Sequence, residues 1–273
     1  MDIKDILLIL SAEELNTARL TGAARLGRAA KAAVTGLCLY KPPQAPISEA
    51  FAVGAAADTA VLERVEARTA AQMAPIQKAF ARAMRGVDAK WAKPVCELAE
   101  ETALRARLYD LVVLGMTGSP ADRRLAEHLV LESGAPCLLV PEDRPAPRGF
   151  DHVIVAWNGS REARRALADA LPLLQHAVHI EVVAAHEGAR SLGPNALEAV
   201  VEHLARHGLT AEARWLPAQG ETAAEALERR VSETHADLLV LGAYSHPHTA
   251  EVLLGGVTRN LLNDPPTAEL ISR

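Results

Sequence analysis

Two kinds of apolar pattern alternate along this chain. Residues 6–10 form an uninterrupted apolar run, as in a strand buried on both faces, and Leu15, Ala18, Gly22, Leu26 and Ala29 follow at helical spacing. A second apolar run covers 34–40, after which Lys41-Pro42-Pro43-Gln44-Ala45-Pro46 breaks regular structure and opens a loop to about residue 57. The sequence then predicts an Ala-rich helix over 59–85, a third strand over 91–95 and a helix over 98–109. A strand over 111–114, a helix over 122–133 and a last strand over 137–140 complete this half.

After a stretch rich in Pro and charge, 141–149, the succession starts again, with strands predicted over 152–157, 180–185, 211–216, 238–241 and 269–271. Ala163, Ala166, Leu167, Ala170, Leu171 and Leu174 mark one helical face, and Leu197, Val200, Val201 and Leu204 mark another, with Pro194 and Asn195 near its start. Ala224, Leu227 and Val231 stripe a third helix after Gly220, and a fourth over 258–263 is stopped by Asp264-Pro265-Pro266.

The halves share a phrase. Asp110-Leu111-Val112-Val113-Leu114-Gly115 returns as Asp237-Leu238-Leu239-Val240-Leu241-Gly242, a strand ending in Gly at the same place in each succession. This predicts two related domains, 1–143 and 151–273, joined by a linker at 144–150. Strands that alternate with helices, and are themselves continuous runs of Val, Leu and Ile, belong to parallel sheets covered on both faces. The expected fold class is therefore α/β, with two doubly wound parallel five-stranded sheets in tandem. In such sheets ligands sit beyond the carboxyl ends of the strands, where the winding reverses.

Composition narrows the picture. The 273 residues are 49% hydrophobic and 23% charged, ordinary for a chain that buries a core, while aromatics supply only 3%, so that core is mainly Ala, Leu and Val. A net charge of -5, with no concentrated basic face, argues against a nucleic-acid partner. Arg123-Arg124 and Arg164-Arg165 are isolated pairs. No run approaches the roughly 18 consecutive apolar residues of a membrane span, and the start carries neither a basic segment nor a long apolar one, so the expected location is the cytoplasm. Cys38, Cys96 and Cys137 are far apart in apolar surroundings, which favours buried reduced thiols over a disulfide or metal framework.

Candidate chemistry concentrates after the strand that closes the second half. Gly242 is followed by Ser245, and Gly255 and Gly256 open a predicted helix at Val257 and Thr258. Backbone amides along such a loop are placed to surround phosphates, helped by the partial positive charge of the helix N-terminus. The same glycines also suit a tight turn with close helix packing, and both readings stay open on spacing alone. His246 and His248 flank Pro247 in this loop, where His246 is a candidate phosphate contact when protonated.

This stretch resembles the nucleotide loop of the universal stress protein family, Gly-x2-Gly-x9-Gly-Ser/Thr, and residues 237–242 resemble the Asp-Leu-Ile-Val-Met-Gly strand before it. Ile154-Val155-Ala156-Trp157-Asn158-Gly159-Ser160 resembles the family's first strand and helix entry, and Gly220-Glu221-Thr222 adds a further match. The resemblance covers the whole chain as a tandem pair and is more specific in the second half. It implies a cytoplasmic stress-response protein that dimerises through its last strand, with ATP or another adenine nucleotide as the ligand of some members. Ala156, Trp157 and Asn158 then lie near the adenosine, Ala185 at the adenine, and Gly242, Ser245, His246, Gly255, Gly256, Val257 and Thr258 at the phosphates.

Three positions depart from the family pattern. Ser245 replaces a glycine, at a steric cost of about 1 kcal/mol if its φ must be positive. Gly256 removes a hydroxyl, and Asn158 replaces an acidic residue; all three are expected to weaken affinity. In the first half Arg123-Arg124 fall where Gly-Ser belongs and Ser11 replaces the acidic residue, so that half is expected to be degenerate as a nucleotide site, though two arginines also suit some other anion.

His203 and His207, and His176 and His179, have metal-compatible spacings without a third ligand, so no metal site is expected. There is no Gly-x-Ser-x-Gly elbow, no Walker lysine and no base and nucleophile pair. The leading expectation is a tandem universal stress protein that binds ATP through its second half and acts by ligand-dependent association instead of turnover. The alternatives are a structural stress adaptor without ligand, and an enzyme, either a slow ATPase or a member of the related α-hydrolase superfamily. The two halves are expected to pair through their last strands, where Glu269 is an anomaly in an apolar strand, with a further homodimer open.

Overall fold

The computed structural model describes residues 2–12, 17–40, 55–96, 99–146, 148–185, 192–193, 195–217, 220–243, 260–262 and 264–273. The first half runs β1 (Asp5–Ser11), α1 (Thr17–Ala30), β2 (Ala33–Tyr40), α2 (Ala55–Ala83), β3 (Ala89–Trp91), β4 (Val95–Cys96), α3 (Ala99–Ala106), β5 (Leu111–Met116), α4 (Pro120–Glu132) and β6 (Cys137–Pro141). The second runs β7 (His152–Ala156), α5 (Arg161–Leu174), β8 (His179–Ala185), α6 (Ala196–Arg206), β9 (Glu212–Leu216), α7 (Ala223–Thr234), β10 (Leu238–Gly242) and β11 (Ala268–Ser272).

All the strands belong to one sheet, in the order β3-β2-β1-β5-β6-β11-β10-β7-β8-β9, with β4 also pairing β2. Each half is wound third-second-first-fourth-fifth, so its winding reverses between its first and fourth strands. Apolar side chains alternate across this sheet. Ile6, Leu8 and Leu10 of β1 face one core with Leu20, Ile76, Phe80, Leu167 and Leu197, whereas Leu7 and Ile9 face the other with Ala103, Leu129, Leu227 and Val231. Helices therefore cover both faces, and the fold is a doubly wound α/β arrangement repeated in tandem.

The shared phrase has a physical explanation at each end. Asp110 Oδ2 accepts from the backbone amides of Lys4 and Asp5 at 2.8 and 3.0 Å. Asp237 Oδ2 does the same for Asp151 and His152 at 3.1 and 3.0 Å. The aspartate opening each fourth strand thus ties down the start of the first strand beside it, supplying an acceptor for amides that the ladder leaves over.

The last strands join the halves. β6 and β11 make the one antiparallel pairing among the described strands, with Leu270 opposite Leu138, Ile271 opposite Cys137 and Glu269 opposite Leu139. Since Cys137 pairs with Val112 and Glu269 with Leu239, one position after the equivalent Leu111 and Leu238, Cys137 and Glu269 are counterparts about a pseudo-twofold axis at Leu138 and Leu270. The sheet edge that a last-strand dimer needs is used within the chain. Burial pushes the Cys38 thiol up to about 11 and that of Cys137 to about 12, as expected of inert core thiols. The side chain of Cys96 lies outside the described residues.

Two sequence readings need correction. The third strand of the first half is broken into β3 and β4, both paired with β2, because Pro94 has no amide to give the ladder. In α1 the buried face is Arg19, Leu20, Ala23, Ala24 and Gly27, whereas Ala29 is exposed and Ala18, Gly22 and Leu26 are only half-buried. So many alanines make several stripes equally apolar, and tertiary packing chose the one containing the arginine. Of the expected helix over 258–263, residues 260–262 are helical with Leu261 and Leu262 buried, and the rest lies outside the described residues.

Candidate functional site

The second half's winding reverses between β7 and β10, so the crevice to inspect lies beyond the carboxyl ends of these strands and of β8. β7 and β10 pair in parallel through Val153 with Leu238, Ile154 with Leu239 and Val155 with Val240, which brings Ala156, Trp157 and Gly242 to one edge. Ala156 pairs with Val183 of β8, and the Trp157 amide donates to the Val183 carbonyl at 2.7 Å, so Ala185 projects from the same edge. Ala156, Trp157, Asn158, Ala185 and Gly242 are all half-buried. Five predicted site residues from three strands of the chain are therefore neighbours.

Short-range hydrogen bonds shape the crevice floor. Asn158 Oδ1 accepts from the Ser160 amide at 3.1 Å, closing the turn that ends β7, and Ser160 Oγ accepts from the Ala163 amide at 3.1 Å as the N-cap of α5. Asn158 therefore has a local role as a turn-former. Gly242 allows a close approach of helix to sheet. A Cβ there would overlap the backbone of Glu162 and Ala163, so the glycine lets the first turn of α5 lie directly on the sheet. The N-terminus of α5 consequently opens at the crevice with its partial positive charge. Glu162 is buried in that turn and accepts from Arg161 Nη2 at 3.2 Å.

Trp157 packs, half-buried, against the core face that includes Val155 and Leu197. Ser245, His246, Gly255, Gly256, Val257 and Thr258 lie outside the described residues, as do His248 and Pro247.

The first half's crevice, beyond β1 and β5, is built differently. Arg19 of α1 and Glu142, which follows β6, form a buried ion pair there. Gly115, the counterpart of Gly242, is crowded by these two side chains instead of by helix backbone. The loop after β5 is also closed on itself: Asp122 Oδ2 accepts from the Thr117 amide at 3.1 Å and from its hydroxyl, and Ser119 Oγ accepts from the Asp122 amide at 3.1 Å. Arg123 runs along α4 with Nε 3.9 Å from Glu127, and Arg124 is exposed. The pair that occupies this crevice is thus Arg19 and Glu142, neither of which stood out in the sequence. The available signal was an arginine four residues before Ala23 and eight before Gly27, small residues that let a helix sit close to a sheet.

A second ionic cluster lies at the opposite end of the second half's strands. His152 Nε2, Arg214 Nε and Arg230 Nη2 converge on the buried Glu181 at 3.2, 3.3 and 2.8 Å. His203 and His207 stack edge to face at 4.8 Å, and burial followed by Arg164 holds His203 below its ordinary pKa. Among the described residues no three His, Cys, Asp or Glu side chains are placed to hold a metal, and no helix is long and apolar enough to cross a membrane.

No family model and no curated protein sequence matches the chain. Among solved structures it is similar to a universal stress protein from Archaeoglobus fulgidus, with a TM-score of 0.73 and 14% identity over 98% of each chain. It is also similar to a functionally unknown protein from Pseudomonas aeruginosa, with a TM-score of 0.63 and 15% identity over 99% of this chain and 92% of the other. The chain has the universal stress protein fold in tandem form, along its whole length.

Proposed function

We propose that this chain is a tandem universal stress protein of the cytoplasm whose second half binds an adenine nucleotide, ATP or a relative, beyond the ends of β7, β8 and β10. The observation that carries this reading is the convergence of Ala156, Asn158, Ala185 and Gly242 on one edge at the winding reversal, with the α5 N-terminus brought close by Gly242. Gly255, Gly256 and Thr258 supply the phosphate-binding amides in this reading. Binding alters the protein's association with itself or a partner, and no turnover is involved. The test is mass spectrometry of small molecules released when freshly purified protein is denatured. An adenine nucleotide near one equivalent per chain is expected. Its absence, together with no thermal shift on adding ATP, contradicts the reading.

A further inference from the structure

The buried pair in the first half occupies the position where a doubly wound sheet receives its ligand. Arg19 and Glu142 are each only 5% exposed. Arg19 Nη1 also donates to the Ile9 carbonyl at 2.9 Å, near the end of β1, so the guanidinium is fixed at the reversal of the winding. Glu142 is delivered there by backbone pairing, because its amide donates to the Met116 carbonyl at 3.0 Å and continues the ladder of β5 and β6. Gly115 stays free of a side chain that would overlap both partners.

A guanidinium keeps its charge at any ordinary pH, and burying it is costly without an anion beside it. Its planar fork suits a carboxylate or phosphate. An arginine held at this edge has the chemistry of an oxyanion receptor, and the anion it receives belongs to the chain, on the segment connecting β6 to β7.

We propose that Arg19 marks a small-oxyanion site in the first half, and that Glu142 is its built-in occupant, which closes the crevice to external anions and ties the connecting segment to α1. The second half has no such pair at Gly242 among the described residues, where α5 backbone takes the space. The two crevices therefore differ: an ion pair of side chains fills the space beside Gly115, and helix backbone fills it beside Gly242. The proposal does not depend on nucleotide binding in the second half.

Chemical rescue tests it in the full chain. Glu142→Ala leaves room for a free anion beside Arg19, so its melting temperature, lowered by several degrees, should rise saturably with acetate or inorganic phosphate and recover at least half of the loss. Sodium chloride at equal ionic strength should not do this, nor should either anion act on the Arg19→Met/Glu142→Ala double variant. No saturable rise in the single variant, or an equal rise in the double variant or with chloride, overturns the proposal. Should Glu142→Ala not fold, Glu142→Gln fills the same volume without charge. It is expected to increase tryptic cleavage after the exposed Arg148 severalfold over wild type, and an unchanged rate overturns the tie.

Discussion

Glu269 is the residue whose chemistry conflicts most with its surroundings. It is fully buried opposite Leu139, and neither carboxylate oxygen has a hydrogen-bond partner among the described residues. Burial, and secondarily the Glu228 carboxylate, push it up to about 8; Glu228 is itself raised by burial, Asp264 and Glu225. The folded chain thus keeps a proton that the unfolded chain releases near 4.5, so stability from this group is complete below that pH and is lost as pH rises towards about 8. Urea denaturation between pH 5 and 9 should show wild type losing on the order of several kcal/mol relative to Glu269→Gln, which lacks this titration. A constant difference between the two proteins across that range contradicts the assignment. Glu269 was visible in the sequence as a charge inside an apolar strand. Arg19 was not, because a basic residue in an Ala-rich helix reads as surface until its partner, 123 residues later, is known.

At the scale of elements, the strands were legible because continuous Val, Leu and Ile runs leave few alternatives, and the cap residues before α5 and α7 mark helix starts. Thr222 and Glu225 form a complete capping box, with the Thr222 amide donating to Glu225 at 2.7 Å. The buried face of α1 and the break between β3 and β4 were not legible, since the first depends on which Ala stripe the sheet selects and the second on where a ladder meets Pro94. Gly242 ties one element to another. Gly242→Ala should push the first turn of α5 off the sheet and cost about 1–3 kcal/mol, typical of an overpacked contact, in chemical denaturation. A change below about 0.5 kcal/mol, ordinary for a surface position, indicates that α5 does not rest on this glycine.

At the scale of the molecule, duplication was legible from one repeated phrase, whose aspartate performs the same task in each half. The continuity of the sheet through β6 and β11 follows from using the fifth strand of each half as the partner of the other, which leaves no free edge there. The asymmetry of the two crevices was only partly legible: Arg19 and Glu142, which fill the first, lie on α1 and after β6, whereas the sequence draws attention to Arg123-Arg124 on α4. Titration calorimetry of ATP against the full chain probes this asymmetry most directly. One site per chain is expected, lost in a Gly255→Val/Gly256→Val double variant and retained in Arg19→Met. Absence of binding, or a second equivalent site, contradicts it.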